Sequence, residues 1–445
     1  MKKFITAISA FIILFTCVFS FNTTQILAAS ESWPAYPEIF AETGVVIEAS
    51  TGTVLYDKGA HNQMYPASIT KVLTALVALH NSSLDETVTF SHDAVFSLEI
   101  GDANIGMKEG ETLTMEDCLY GLLLASANET ANAIAEHVGG STDGFAKMMN
   151  ETAKEAGALN SHFTNPSGLF DENHYTTAYD MAMITREAIK NSSFLEIEKN
   201  TTHTVGATNL TAEVRNLTNR HKMLFPSNSV YYEGILGGKT GYVDQSGNTL
   251  ITFARRNNMT LISVVMRSDS YHVYEDTTSL LNYGFDNFTK ANVSESETLF
   301  SDSQSSSSIF KSDYPAVYID SKDSVVFPSN AAFSDLTATL SLDKNPDDDL
   351  YATLEYSYDG VNVGSASLKT NSLFAGNMAF TPLLTEDGTA TEKSGSFNFN
   401  VWLIPVIIVV VVLAILFQNY RRKLAMARKR KRLHRKKSTD SYNRF

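Results

Sequence analysis

The chain has 445 residues, 43% of them hydrophobic, with 35 Lys and Arg against 49 Asp and Glu for a formal net charge of -14. That length supports a sizeable core and more than one domain, and the acidic balance excludes a nucleic-acid partner for the bulk of the chain. Of two cysteines, Cys17 falls in an N-terminal apolar run and Cys118 stands alone, which excludes an internal disulfide framework and a cysteine zinc cluster.

Lys2 and Lys3 precede an apolar run from Phe4 to Phe19, and the small residues Ala28, Ala29 and Ser30 follow, so residues 1–30 read as an export signal. Strand and helix patterns then alternate from Phe40 to about Phe288. Gly44 to Glu48 and Thr53 to Tyr56 predict a hairpin around Ser50-Thr51-Gly52, and Val72 to Leu79, apolar nearly all round, predicts a buried helix. Met115 to Leu124 predicts another helix ending at Ser126, and helical spacing resumes from Thr130 to His137. Thr249 to Phe253 and Thr260 to Met266, joined by Arg255 to Asn258, predict an antiparallel pair. The serine- and acid-rich stretch Ser294 to Asp313 breaks all periodicity and reads as a linker. Beyond it, Ala352 to Tyr358 and Val361 to Leu368 flank an Asp359-Gly360 turn in a small β domain. A second polar stretch, Thr385 to Ser396, leads into the apolar run Val401 to Phe417, after which come Arg421, Arg422, Lys423 and a further basic cluster. About 17 residues reach roughly 25 Å as a helix, a short membrane span, and the positive-inside rule puts the basic tail in the cytoplasm with everything between the two apolar runs outside. The tail reads as a topology signal attracted to anionic lipid, not as a nucleic-acid binder.

Three short motifs carry candidate chemistry. In Pro66-Ala67-Ser68-Ile69-Thr70-Lys71, residues three apart share a helix face, so the Lys71 amine can reach the Ser68 hydroxyl. A serine hydroxyl becomes a nucleophile when an adjacent base takes its proton, and a lysine is such a base when burial or a neighbouring cation depresses its pKa. Ser308 to Lys311 and Ser341 to Lys344 repeat the spacing without opening an apolar helix, and are chance matches. Ser126-Ala127-Asn128 offers a hydroxyl to relay a proton and an amide to hold a carbonyl. Gly237-Gly238-Lys239-Thr240-Gly241, placed just ahead of the antiparallel pair, offers a cation and a hydroxyl to a carboxylate.

Together the three form the signature set of penicillin-binding proteins and class A β-lactamases. With Leu122-Leu123-Leu124-Ala125-Ser126-Ala127-Asn128, Asn165-Pro166-Ser167-Gly168-Leu169 and Gly234-Ile235-Leu236-Gly237-Gly238-Lys239-Thr240-Gly241-Tyr242, the chain from Gly44 to Phe288 resembles the low-molecular-mass D-alanyl-D-alanine carboxypeptidases, a serine peptidase family. The resemblance implies an α/β (α+β) transpeptidase-like domain with helices on both faces of an antiparallel sheet, and an acyl-enzyme mechanism without metal or cofactor. It implies Ser68 as nucleophile, Lys71 as its base, Ser126 as proton shuttle, and Asn128, Lys239, Thr240, Gly241 and Tyr242 as substrate-binding residues. Oxyanion donors would be the backbone N–H groups of Ser68 and Tyr242. Val243 stands where relatives often have threonine, and Val273 stands about where many carry arginine, which transfers carboxylate recognition to Lys239, Thr240 and Arg220. Implied partners are peptidoglycan stem peptides, β-lactam inhibitors and, through the C-terminal helix, membrane lipid.

The expected division is a signal at 1–30, a catalytic domain at 31–290, a linker at 291–313, a small β domain at 314–384, a linker at 385–398, a transmembrane helix at 399–419 and a basic tail at 420–445. Two other readings remain open from the residues. A class A-like β-lactamase would need a water-activating carboxylate, for which Asp171-Glu172-Asn173 is the nearby candidate. A non-enzymatic sensor of β-lactam or wall peptide would need an output domain after Tyr420, where no domain-sized apolar pattern occurs.

Overall fold

Neighbouring residues of one strand enter two different cores, and this places helices on both faces of the central sheet. In β1 (Thr43–Glu48), Val45 and Ile47 join one apolar cluster and Val46 the other, as the period-two geometry of a strand requires. The structure is a computed structural model that describes residues 33–297, 317–341 and 350–370, all within one compact unit. β1 belongs to an antiparallel sheet ordered β2-β1-β5-β4-β3, formed with β2 (Val54–Lys58), β3 (Ile235–Val243), β4 (Gly247–Arg256) and β5 (Met259–Ser268). β5 repeats the alternation, with Ile262 and Val264 in the first cluster and Leu261 and Val265 in the second.

The first cluster is completed by α1 (Lys71–Asn81), α2 (Met115–Leu123), α3 (Asn128–Gly139), α4 (Ala178–Ala188) and α5 (Ser192–Glu198). Every residue of α1 from Lys71 to Ala78 is buried, as its all-round apolar sequence predicts. Side-chain caps fix where helices start: the Thr114 hydroxyl accepts from Asp117 N before α2, and the Thr177 hydroxyl accepts from Asp180 N before α4. The second cluster is closed by α6 (His272–Asn287), which contributes Leu280, Leu281 and Tyr283.

A second, all-β sheet follows without a break. β6 (Phe288–Asn292) continues straight from α6 and pairs with β8 (Ser324–Pro328), and the order runs β6-β8-β11-β10-β9, with β7 (Val317–Ile319) on β11. The remaining strands are β9 (Thr337–Ser341), β10 (Leu350–Tyr358) and β11 (Val361–Thr370). Asp359 and Gly360 both have positive φ, 51° and 80°, which suits the tight turn their sequence predicts. Val325, Phe327, Leu354, Tyr356, Val363 and Leu368 form this sheet's own core.

One local expectation differs from the structure. β6 and the short helix Val293–Ser296, whose Val293 is buried in the second sheet's core, occupy the start of the stretch read as a linker. Five residues with three polar members are too short a run to advertise a strand; pairing with β8 supplies the order. The Lys239-Thr240-Gly241 motif lies just ahead of the β4–β5 pair, as expected, and is itself part of strand β3, whose glycines hide the strand pattern. The signal segment, the stretch from 298 to 316 and the apolar run Val401 to Phe417 lie outside the described residues. Among the described residues no helix is long and apolar enough to cross a membrane.

Candidate active site

Ser68 sits in a one-turn 3₁₀ segment, Ala67–Thr70, that leads directly into α1. The preceding Ala67 has φ of 52°, and Ser126 has φ of 62°, conformations that β-carbon-bearing residues adopt only where the surroundings impose them. Lys71, wholly buried, donates from Nζ to Ser68 Oγ at 3.0 Å, to Asn128 Oδ1 at 2.8 Å and to the Ser167 carbonyl at 2.6 Å. Burial, then the charges of Lys239 and Arg220, hold its ammonium well below the ordinary lysine value. A neutral Lys71 keeps two N–H donors for Asn128 and Ser167 and can turn its lone pair to the Ser68 hydroxyl, the alignment that a base requires beside a nucleophile.

The opposite wall is β3, the edge strand of the sheet. Gly241 permits its approach, because a Cβ there would lie 2.4 Å from Thr249 Oγ1 and 2.9 Å from the backbone N of Ser68. Lys239, also buried, donates to Ser126 Oγ at 3.0 Å and to the Thr240 carbonyl at 3.0 Å. Two lysines thus bracket two serines from opposite sides, Lys71 beside Ser68 and Lys239 beside Ser126. Asn128 begins α3, and its backbone N–H bonds the Ala103 carbonyl at 2.7 Å, tying the loop at 101–103 to the rim.

The cavity between these walls has a volume of about 380 Å³. Ser68, Ser126, Asn128, Arg220, Thr240, Gly241 and Tyr242 line it, with Lys71 and Lys239 bonded beneath to two of these serines. All nine candidate residues therefore converge on one place. Tyr242 is 59% exposed, its ring at the mouth and its hydroxyl donating to Asp244 at 2.8 Å. Val273, where the resemblance finds arginine in relatives, is buried in the second cluster instead of lining the cavity, while Val243 and Arg220 do line it.

Sequence reasoning missed several contributors. Ser167 enters through its carbonyl, an atom no side-chain motif reports; the Asn165 amide oxygen accepts from Gly168 N at 2.8 Å and shapes that turn. His174 bonds Thr70 Oγ1 through Nε2 at 3.0 Å and accepts from Thr164 N through Nδ1 at 3.1 Å. Burial lowers its pKa to about 4, so it braces the turn as a neutral ring. Asp102, Asn248 and Tyr274 also line the cavity without a sequence signal, and Leu169 does so from the Asn165-Pro166-Ser167-Gly168-Leu169 motif. Glu172, weighed as a water-activating carboxylate, is exposed and lines a separate cavity with Tyr65, Tyr175 and Arg267. His137 bonds Glu86 Oε2 at 2.8 Å, consistent with a satisfied surface histidine. Among the described residues no cluster of three His, Cys, Asp or Glu could hold a metal ion.

Residues 29–270 match the protein-family profile described as D-alanyl-D-alanine carboxypeptidase. The chain is 34% identical over 257 residues to the D-alanyl-D-alanine carboxypeptidase DacF of Bacillus subtilis, covering 56% of this chain and 63% of that relative's length. It is 31% identical over 264 residues to a D-alanyl-D-alanine carboxypeptidase of a Streptomyces species, covering 56% of this chain and 88% of the relative. Among solved structures, penicillin-binding protein 5 from Haemophilus influenzae superposes with a TM-score of 0.61 at 26% identity, over 76% of this chain and 98% of the other. A Streptomyces DD-transpeptidase variant superposes with a TM-score of 0.53 at 30% identity, over 56% of this chain and 100% of its own.

Proposed function

Because the chain belongs to the D-alanyl-D-alanine carboxypeptidase family, we propose that it removes the terminal D-alanine from peptidoglycan stem peptides through an acyl-enzyme on Ser68. The observation that carries this reading is the buried Lys71 Nζ at 3.0 Å from Ser68 Oγ. Ser68 Oγ attacks the carbonyl carbon of the penultimate D-alanine as its proton passes to Lys71. The resulting oxyanion lies against the N–H groups of Ser68 and Tyr242. On collapse the C–N bond breaks, and the leaving amine takes a proton from the Ser126 hydroxyl, which Lys239 resupplies across 3.0 Å. Free D-alanine departs; water then attacks the ester, its proton passing through Ser126 back to Lys239, while the departing Ser68 oxygen takes back the proton held by Lys71. Thr240, Arg220 and the Lys239 ammonium hold the substrate's terminal carboxylate, and the Asn128 amide holds a peptide carbonyl. No step calls for a metal or cofactor. A β-lactam acylates the same oxygen by ring opening.

The catalytic domain stands outside the cell, with Val401 to Phe417 as its membrane anchor and the basic tail in the cytoplasm. Mass spectrometry of a pentapeptide ending in D-Ala-D-Ala after incubation with the protein tests the activity: a tetrapeptide and free D-alanine are expected. An unchanged peptide, or one cut elsewhere, would overturn the reading.

A further inference from the structure

The cations around the site are Lys71 and Lys239, both buried, and Arg220 on the rim. Acids near them are Asp102 on the rim loop, Glu129 beneath that loop, and Glu198. Glu198 is the last residue of α5 and is completely buried under β3. Its Oε2 accepts from the backbone N of Gly238 at 2.9 Å, immediately before Lys239, while Oε1 has no hydrogen-bond partner. The strand has been lowered onto this carboxyl: a Cβ on Gly237 would lie 2.7 Å from Glu198 Cβ and 3.0 Å from Oε2. A buried carboxyl with an orphan oxygen is costly to keep for packing alone.

His221, which also packs against Gly238, does not neutralise it. Its Nε2 bonds Thr252 Oγ1 at 2.8 Å, and burial reinforced by Lys239 lowers its pKa to about 3, so it carries no charge. Burial pulls the Lys239 ammonium down and Arg220 pulls it further, whereas Glu198 holds it up. Burial raises the Glu198 carboxyl, and the Gly238 N–H and Lys239 lower it again. Asp102 and Glu129 act in the same supporting sense on Lys71.

We propose that Glu198 is the internal counter-charge of Lys239, a positioning residue that keeps the ammonium charged and β3 seated, ready for a substrate carboxylate. This rests on the reading of Lys239 as a carboxylate holder. An ammonium surrounded only by Lys71 and Arg220 would shed its proton, and a neutral amine has no charge to offer an anion. Burial lowers the Lys239 ammonium to about 7, and Glu198 beneath it is the group that holds it up against burial and Arg220.

The test measures kcat and KM against pH on the full chain, with a peptide ending in D-Ala-D-Ala and with its C-terminal amide. For Glu198→Gln, which still offers Gly238 an acceptor, KM for the acid should rise about tenfold and the alkaline limb of kcat/KM should fall by about one pH unit. The amide should change less than about twofold, and Glu198→Asp should return the limb toward wild type. Equal losses on acid and amide with an unmoved limb would make Glu198 a packing residue only and overturn the proposal, as would an unaltered variant. A wild-type enzyme with no preference for acid over amide would instead overturn the role given to Lys239, and this inference with it. Should Glu198→Gln fail to fold, the carboxyl ¹³C titration of Glu198 is compared between wild type and Lys239→Met. Its midpoint should rise when the cation is removed, and an unmoved midpoint would overturn the pairing.

Discussion

The central sheet and the second sheet are both antiparallel and both twist around an apolar core, yet they bury different things. Around the first lie Lys71, Lys239, Glu198, His174 and His221, each at most 1% exposed. The second packs Val325, Phe327, Leu354, Val363 and Leu368, with Tyr356 turning its hydroxyl to Glu297 at 2.7 Å. Desolvating a charge opposes folding, so a domain that buries two lysines within reach of two serines gives up stability for chemistry. Among the described residues the second sheet buries one carboxyl, Glu297, bonded to Tyr356, and no lysine, and it reads as scaffold. The two meet at modest contacts: Lys290 of β6 with the buried Glu48 at 3.3 Å, Ser50 with Ser324 at 3.4 Å, and Trp33 packed on Phe288.

The largest effect that tests this contrast is loss of the proposed nucleophile or its proposed base. Ser68→Ala should abolish labelling by a tagged penicillin, and Lys71→Ala should slow it by at least about 1000-fold. Lys344→Ala, at the matching spacing outside the described residues, should leave it unchanged. Persistent labelling of Ser68→Ala, read by gel fluorescence, would move the chemistry elsewhere. Next, Lys239→Met should cost about 100-fold in kcat/KM on a peptide ending in a free carboxylate, and far less on its amide. Parallel losses on both would mean that β3 serves the reaction but not the carboxylate.

A pH profile gives a smaller, graded effect. Lys71 is a base only when neutral, and its depressed pKa lets the neutral form persist well below the ordinary lysine range. On the acid side the acylation rate should therefore fall about tenfold for each pH unit below that pKa, and level off above it. A rate without an acid limb at any pH where the protein stays folded would contradict a titrating lysine base. The smallest effect should come from the second sheet. A chain ending at Asn292, which keeps Phe288 against Trp33 and Tyr283, should hydrolyse a short free peptide within about twofold of the full chain. A solved relative covered over its full length aligns with only 56% of this chain, so this part is expected to fold alone. With Val401 to Phe417 as the proposed anchor, the same truncation should act poorly on wall material in intact cells, losing the local concentration that tethering provides. A folded truncation inactive on free peptide would bring the second sheet into the site.

Much of this was open to reading from the amino-acid string, and for a local reason. Ser68 and Lys71 are one helical turn apart, so their meeting follows from helix geometry, and the apolar run after them marks α1 as buried. Val45, Val46 and Ile47 give away a strand buried on both faces, and Asp359-Gly360 gives away its turn. Ser126-Ala127-Asn128 could be named only as part of a set, since Ser246 to Asn248 and Ser441 to Asn443 repeat its pattern, whereas Lys239-Thr240-Gly241 occurs once and takes its meaning from the set.

The sequence by itself determined which residue types carry the chemistry and in what order. Tertiary structure alone decided what surrounds them. Lys71 finds the Ser167 carbonyl 96 positions away, and Gly238 finds Glu198 40 positions away. Asp102 and Tyr274 reach the cavity on segments with no motif, and β6 is a strand because β8 lies beside it. Periodicity and spacing report neighbours within a turn or a strand. The depressed pKa of a buried lysine and the partner of a backbone carbonyl are set by atoms that only the folded chain brings together.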